Sequence, residues 1–524
     1  LRGQGDDKPW PQWTAEEEAV EINFLREMVA GLKTIDLAGL DTDGRINHNM
    51  LSLLAADRLF GLEFGAHHFP LNAEGGFLAG IVYSLYGRNV PDREALLAYR
   101  EKLRALPVYL RWQEEQLRKG IKAGRVSPQL IVDNCIAMVE RALDKPLEAS
   151  LFLKPVAEKP ALRAAILPLV RDTILPAYAG LRDFLAGAYR AAAPPTIGAA
   201  VMQNGKKYYE QRVRFFTTYD VSPEEVFATG QREVARIRAE MEAIIDSVGF
   251  AGSFAEFLAF LRTDPQFYAT SPEGLLREAS WITKRMEAKL PKYFGHLPRM
   301  PLAVAPVPDA LAPNYTGGRY SPGSYERHKA GEFWVNTYDL PSRPLYVLPA
   351  LALHEGVPGH HTQMMLAAEE NDRPGFRDTY LSAFGEGWAL YAEYLGKEAG
   401  MYVTPYEDFG RLTYEMWRAC RLVVDPGMHY FGWDRERAVA FLRDNTALSL
   451  HEVNTEIDRY VGWPGQAVSY KMGELKIREL RKLAESSLGK KFDLRAFHDL
   501  LLANGSVPLS VLEELVVGFI DARK

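Results

Sequence analysis

Apolar side chains return at helical spacing through most of this chain, and no other feature limits its fold so strongly. Residues 15–33 set Glu16, Glu17 and Glu18 against Ile22, Leu25, Met28, Val29 and Leu32, the stripe of an amphipathic helix. Similar patterns cover about 93–120, 127–143 and 160–192, and Pro168 and Pro176 are expected to bend or divide the last. Ser222-Pro223-Glu224-Glu225 offers a cap, a proline at the first helical position and an acid three residues after the cap. Ser271-Pro272-Glu273 repeats the cap and proline. Residues 291–350 break the pattern with Pro, Gly, Tyr and Asn, and 331–337 is the best strand candidate there. Helical character returns near Pro344 and continues to Lys524. The expected fold class is therefore mainly α with a small β-sheet.

At 524 residues the chain can bury a large core. A helical region at 1–220 and a second region at 221–524 are the expected parts, in two units or one integrated domain. A net charge of −6, with no long Lys/Arg block, gives no reason to expect a nucleic-acid partner. Two distant cysteines, Cys135 and Cys420, exclude a disulfide scaffold and carry no CxxC spacing. We find no apolar run of membrane-spanning length and expect no transmembrane segment. The first residue, Leu1, suggests trimming, so both a cytoplasmic and a periplasmic or secreted location stay open. Oligomeric state is not legible.

The chemistry concentrates in Leu353-His354-Glu355-Gly356-Val357-Pro358-Gly359-His360-His361. Three of eleven histidines fall within eight residues, beside a carboxylate and inside an otherwise apolar helix pattern. Neutral imidazoles bind Zn²⁺ well, and the adjacent Glu355 is placed to accept a proton. The spacing is wider than the HExxH arrangement, where histidines four apart share one helical face. Six residues of ideal helix advance about 9 Å and leave that face; seven restore it at about 10.5 Å. Helical phase therefore favours His361. Pro358, however, cannot donate to the His354 carbonyl, and Gly356 and Gly359 flank the break, so a loop can return His360 instead. A third ligand is expected from the next helix, where Glu386 sits in Phe384-Gly385-Glu386-Gly387-Trp388 between two glycines that permit close approach. Glu393, two turns on, is the alternative, and pairing of Glu386 with Arg418 or Arg421 is the structural one.

The sequences HEGVPGHHTQ and FGEGWALYAE resemble the DUF885 family, a group similar to zincin-like proteins. Asn204–Tyr209, the run 333–336 and Tyr460–Ala467 with Tyr470 extend the likeness over most of the chain. The order HE, GH, then a Glu on the following helix also resembles the helical gluzincin peptidases. That resemblance implies a zincin-like helical metallopeptidase fold, with the small sheet beside a deep active-site cleft. It further implies Zn²⁺ held by His354, His360 and Glu386, with Glu355 as general base, and hydrolysis of short peptides by metal-activated water. A carboxypeptidase or dipeptidase is preferred over an endopeptidase. Tyr470 and His429 are the candidate donors to the tetrahedral intermediate. Asn336, Tyr460 and Gln466 are candidate substrate contacts, with the 331–337 strand aligning a peptide by strand addition. Lys206 and Lys207 are expected to form an opposite wall that meets a peptide carboxylate. The other functions open to the sequence are hydrolysis of a non-peptide amide and noncatalytic peptide binding.

Overall fold

A computed structural model describes residues 9–524 except 86, 87, 89, 310, 311, 313, 314 and 370–372. The described chain is mainly helical with one three-stranded sheet. Both sequence-marked helix starts are present: Ser222 forms a capping box with Glu225 at the head of Pro223–Ser247, and Ser271 caps Pro272–Glu287 through the Gly274 N–H. These caps satisfy backbone N–H groups that the first helical turn leaves unpaired.

Of the two outcomes expected at Pro168 and Pro176, a bend or a division, the stretch 160–192 is not divided and stays helical through both. It passes through π-helical turns at Val170–Ile174 and Leu185–Tyr189, wider turns that absorb a local loss of register without ending the helix. By length and composition it is the one described helix able to cross a membrane, where none was expected. Its Ile166, Val170, Ile174 and Tyr178 lie in the protein core.

That core runs from Trp10 to Ala467, so side chains from both ends of the chain share one hydrophobic cluster. A second cluster joins Ile46, Met50 and Leu54 to the sheet and the C-terminal helices. Helix Pro223–Ser247 lies along Pro405–His429, and Ser382–Glu398 lies along Ser469–Leu488. Among these helices sits a buried charge network centred on Lys471. Its Nζ is 2.7 Å from Glu415, 2.8 Å from Glu474 and 3.2 Å from Glu233. Arg411 and Arg236 also pair with Glu415.

The sheet holds β1 (Leu302–Pro306), β2 (Gly318–Ser321) and β3 (Gly331–Val335) in the order β1-β3-β2. The strand expected at 331–337 is thus β3, parallel to β1 and antiparallel to β2. Its central position corrects the expectation of strand addition there, because both of its edges are already paired. The outer strands are β1 and β2; helix Pro272–Glu287 packs against β1 and helix Leu348–Glu355 against β2.

Candidate metal centre

Helix Leu348–Glu355 ends at the expected break, and His360–Ala367 begins four residues beyond it. Gly359 makes the return possible. A β-carbon there would come within 2.0 Å of the His354 carbonyl oxygen and 2.4 Å of that of Leu353, so only glycine fits against the helix end. The loop brings His360 back beside His354, their ring centroids 4.9 Å apart and nearly perpendicular.

The third member arrives on helix Ser382–Glu398. Glu386 Oε2 lies 3.4 Å from His354 Nε2 and 3.5 Å from His360 Nε2. These three atoms are close enough to bind one ion. The glycines beside Glu386 are occupied by neighbours rather than by space. A β-carbon on Gly387 would strike the Gly473 backbone at 2.6 Å, and one on Gly385 would enter the Tyr380 ring. Close approach of Ser469–Leu488 thereby fixes the depth at which Glu386 enters the site.

A further layer orients the imidazoles. His354 Nδ1 donates to Glu393 Oε1 at 2.7 Å, which leaves Nε2 as the nitrogen that faces Glu386. Glu393 is itself 1% exposed, and Arg418 stands 3.9 Å from it. The alternative ligand of the sequence reading is thus a buttress, and Arg418 approaches Glu393 rather than Glu386. Burial would make protonation of His354 harder, but Glu386 and Glu393 reverse this and hold its pKa at about 9. Burial likewise disfavours the charged Glu386, yet His360 and His354 keep its carboxyl well below the usual range. His360 Nδ1 is buried without a hydrogen-bond partner.

Glu355 Oε2 accepts the Tyr320 backbone N–H at 2.8 Å, so β2 holds the carboxylate in place. Tyr380 donates from its hydroxyl to Glu386 Oε1 at 3.0 Å. Burial, then Glu386, Tyr470 and Glu355, push that phenol well above its ordinary value. The field of Arg319, on β2, includes Tyr315, Glu355 and Tyr470. Tyr470 therefore shares one electrostatic neighbourhood with Glu355, Tyr380 and Arg319, while Arg421 stacks 4.4 Å from its ring centroid. Tyr380, Arg319 and Tyr320 were missed in the sequence. One tyrosine among twenty-five, or an arginine in a short strand, carries no local signal.

The remaining candidates are not brought to this cluster. His361 Nε2 donates to the Met300 carbonyl at 2.9 Å, and its Nδ1 accepts from the Tyr320 hydroxyl at 3.0 Å. With both nitrogens engaged, and burial pushing its pKa down to about 4, it is a neutral brace. His429 is fully buried. Its Nδ1 accepts from the Ala199 N–H at 3.0 Å and its Nε2 donates to the Tyr460 carbonyl at 2.9 Å, leaving no donor for a substrate. The Asn336 amide donates at 3.0 Å to the carbonyls of Ala312, Tyr315 and Thr316, holding the loop before β2. The Tyr460 hydroxyl accepts from Trp417 and Arg421. Gln466 accepts from Arg459 at 2.8 Å. Exposed Lys206 lies over the Tyr430 ring at 4.6 Å. Apart from exposed Lys206, these groups are buried and paired within the chain, as buried polar atoms must be.

A cavity of about 220 Å³ lies elsewhere, at the seam of Ala66–Asn72, Ser127–Ile131 and Val461–Pro464, and none of the three clustered residues lines it. Donor chemistry, rather than volume, distinguishes the His354 cluster. Both cysteines are buried and free.

A mainly helical protein with a three-stranded sheet and a buried His-His-Glu cluster is what the geometry defines. The chain belongs to the DUF885 family, described as bacterial protein of unknown function, which matches residues 1–516. A crystal structure of a candidate lipoprotein from Colwellia psychrerythraea has 28% identity and a TM-score of 0.90, covering 98% of this chain and 92% of that one. A candidate lipoprotein of unknown function from Shewanella oneidensis shares the fold at 19% identity and a TM-score of 0.77, covering 97% and 94%. Among curated proteins none matches the chain.

Proposed function

We propose that this protein is a zincin-like, zinc-dependent peptidase that trims short peptides, with carboxypeptidase or dipeptidase character. The observation that carries this reading is the convergence of His354 Nε2, His360 Nε2 and Glu386 Oε2. Two imidazoles and one carboxylate match the three protein ligands of a catalytic zinc site, which keeps its fourth position open. The buried, unpartnered Nδ1 of His360 fits less well, since ligating imidazoles usually donate from the second nitrogen. Zn²⁺ held by these residues supplies a Lewis acid.

Glu355 is the proton acceptor in this account, and the Tyr320 N–H keeps one of its oxygens oriented. Glu355 then returns the proton to the leaving amine. Tyr470, with Arg319 beside it, is the donor that faces developing negative charge. Tyr380 steadies Glu386 through its hydrogen bond. An envelope location accords with the description of the Colwellia relative as a candidate lipoprotein.

The test is a mass-spectrometric digest of mixed short peptides by zinc-loaded wild type and by Glu355→Gln. Successive loss of C-terminal residues or release of dipeptide products is expected, with turnover at least about 10²-fold lower in the variant. Zinc content should be retained. Equal turnover in the two proteins, or efficient internal cleavage of folded proteins, would overturn the reading.

A further inference from the structure

Among the described residues a second group has metal-binding geometry, remote in sequence from the first: Glu18, His67 and His68. Glu18 lies in the first turn of helix Ala15–Leu32. The histidines are adjacent in the short 3₁₀ turn Ala66–His68, which follows the left-handed Gly65 at the end of Thr42–Phe64. That turn sets the two imidazoles side by side, centroids 4.0 Å apart and planes tilted by 57°. His67 Nε2 lies 3.4 Å from Glu18 Oε1, and the three residues offer ligand atoms within 4.8 Å of one another.

The independent observation concerns His67. Only 11% of its side chain is exposed, Trp13 packs edge-on against it, and neither ring nitrogen has a hydrogen-bond partner. An imidazole enclosed this far normally donates and accepts, because a buried polar atom without a partner loses the hydrogen bonds it made to water. The nearby cations are occupied elsewhere: Arg58 binds Glu21 at 2.8 Å, Lys119 binds Gln116 at 3.3 Å, and Arg125 stacks on Phe64. Glu18 has no arginine or lysine partner among the ion pairs described, so its carboxylate faces the imidazoles.

We infer that Glu18, His67 and His68 form a second site for a divalent first-row transition ion. Two imidazole nitrogens and a carboxylate oxygen suit Zn²⁺ and its neighbours and discriminate against Mg²⁺ and Ca²⁺. Its location assigns it a structural role. Helix Ala15–Leu32 has its own small cluster of Leu25, Ala55 and Leu62, separate from the two large cores. An ion shared by Glu18 and the 66–68 turn would clamp this helix to the body of the protein.

The experiment uses the full chain, stripped by chelator and titrated with Zn²⁺ in a calorimeter. Wild type is expected to bind two equivalents, and His354→Ala one. Adding His67→Ala or Glu18→Gln to His354→Ala should weaken the remaining equivalent at least about tenfold. Glu18→Gln, on a partly exposed helix face, also serves if His67→Ala does not fold. Zn²⁺ should slow proteolysis within residues 15–32 in His354→Ala, but not in the Glu18→Gln double variant. A remaining equivalent insensitive to Glu18→Gln, or a His354→Ala protein that binds no Zn²⁺, would overturn the inference. Loss of peptidase activity alone touches only the first site, so failure of one reading is separable from failure of the other.

Discussion

Around Lys471 each buried carboxylate meets a cationic side chain, whereas around His354 three carboxylates, Glu355, Glu386 and Glu393, surround two imidazoles. The Lys471 ammonium is within 2.8 Å of Glu415 and Glu474, and Arg411 closes on Glu415 at 2.9 Å. Burial would expel the charge from Glu415, but Lys471, Arg236 and Arg411 hold it ionised. In the other region the distances from Glu386 to its histidines, 3.4 and 3.5 Å, are too long for good direct hydrogen bonds. The two regions share helices Pro405–His429 and Ser469–Leu488, so the difference comes from residue type and not from location. One region neutralises itself; in the other, the proposed zinc would complete the charge balance. Asp425 shows a third solution: buried, with one oxygen unpartnered, it is pushed up to about 7 and takes a proton.

The largest effect should come from breaking the self-neutralised region. Lys471→Met leaves Glu415 and Glu474 short of a cation and should cost about 3–5 kcal/mol of stability by denaturant unfolding. Zinc affinity should hardly change. An unaltered unfolding midpoint would mean that the arginines suffice, and the contrast between the regions would fail.

Asp425→Asn comes next. The wild-type carboxyl rises from 3.8 to about 7 on folding, chiefly by burial. Below about pH 7 its protonated form therefore dominates in the folded protein. The associated stability is fully present below pH 3.8 and is lost as pH rises to about 7, with a ceiling of about 4 kcal/mol. The asparagine protein should lack this slope and be the more stable of the two at pH 8. Parallel unfolding profiles between pH 4 and 8 would remove Asp425 from the comparison.

The smallest effect sharpens the metal side. Glu393→Gln keeps an oxygen for His354 Nδ1 but removes the charge, so zinc affinity should fall about 10–100-fold in competition with a chelating dye. The metal-free protein should lose only the stability that comes from the His354–Glu393 pair, a smaller change than the zinc-bound protein shows. Equal loss of stability with and without Zn²⁺ would assign Glu393 to the core instead of to the metal.

Much of this arrangement was legible in the sequence because it depends on local rules. Pro358 and its flanking glycines announced the helix break, Ser222 and Ser271 announced two helix starts, and β3 stood out as an apolar run. Glu386 was conspicuous as a carboxylate between glycines in an apolar helix. The choice between His360 and His361 was not legible, since it rests on where the loop turns back, and helical phase favoured His361. His429, Asn336 and Tyr460 looked available because their partners, such as Ala199 for His429, lie far away in sequence, whereas Gln466 is held by Arg459 seven residues before it. β1 is as long as β3 but is hidden by Pro301 and Pro306 at its ends, the four-residue β2 is too short to be seen before pairing, and Tyr380 acquires its place from the absence of a side chain on Gly385.

The contact of Gly387 with Gly473 gives the molecule a common datum. Glu386 precedes the first glycine by one residue, and Lys471 precedes the second by two. Glu386 and the hub of the self-neutralised network are therefore gauged from a single point where two backbones touch. Side chains can repack to absorb a small displacement; bare backbone in contact cannot. The spacing of the donor atoms is thus inherited from how closely two helices are allowed to cross, and mechanical tolerance at that crossing becomes the tolerance of the chemistry.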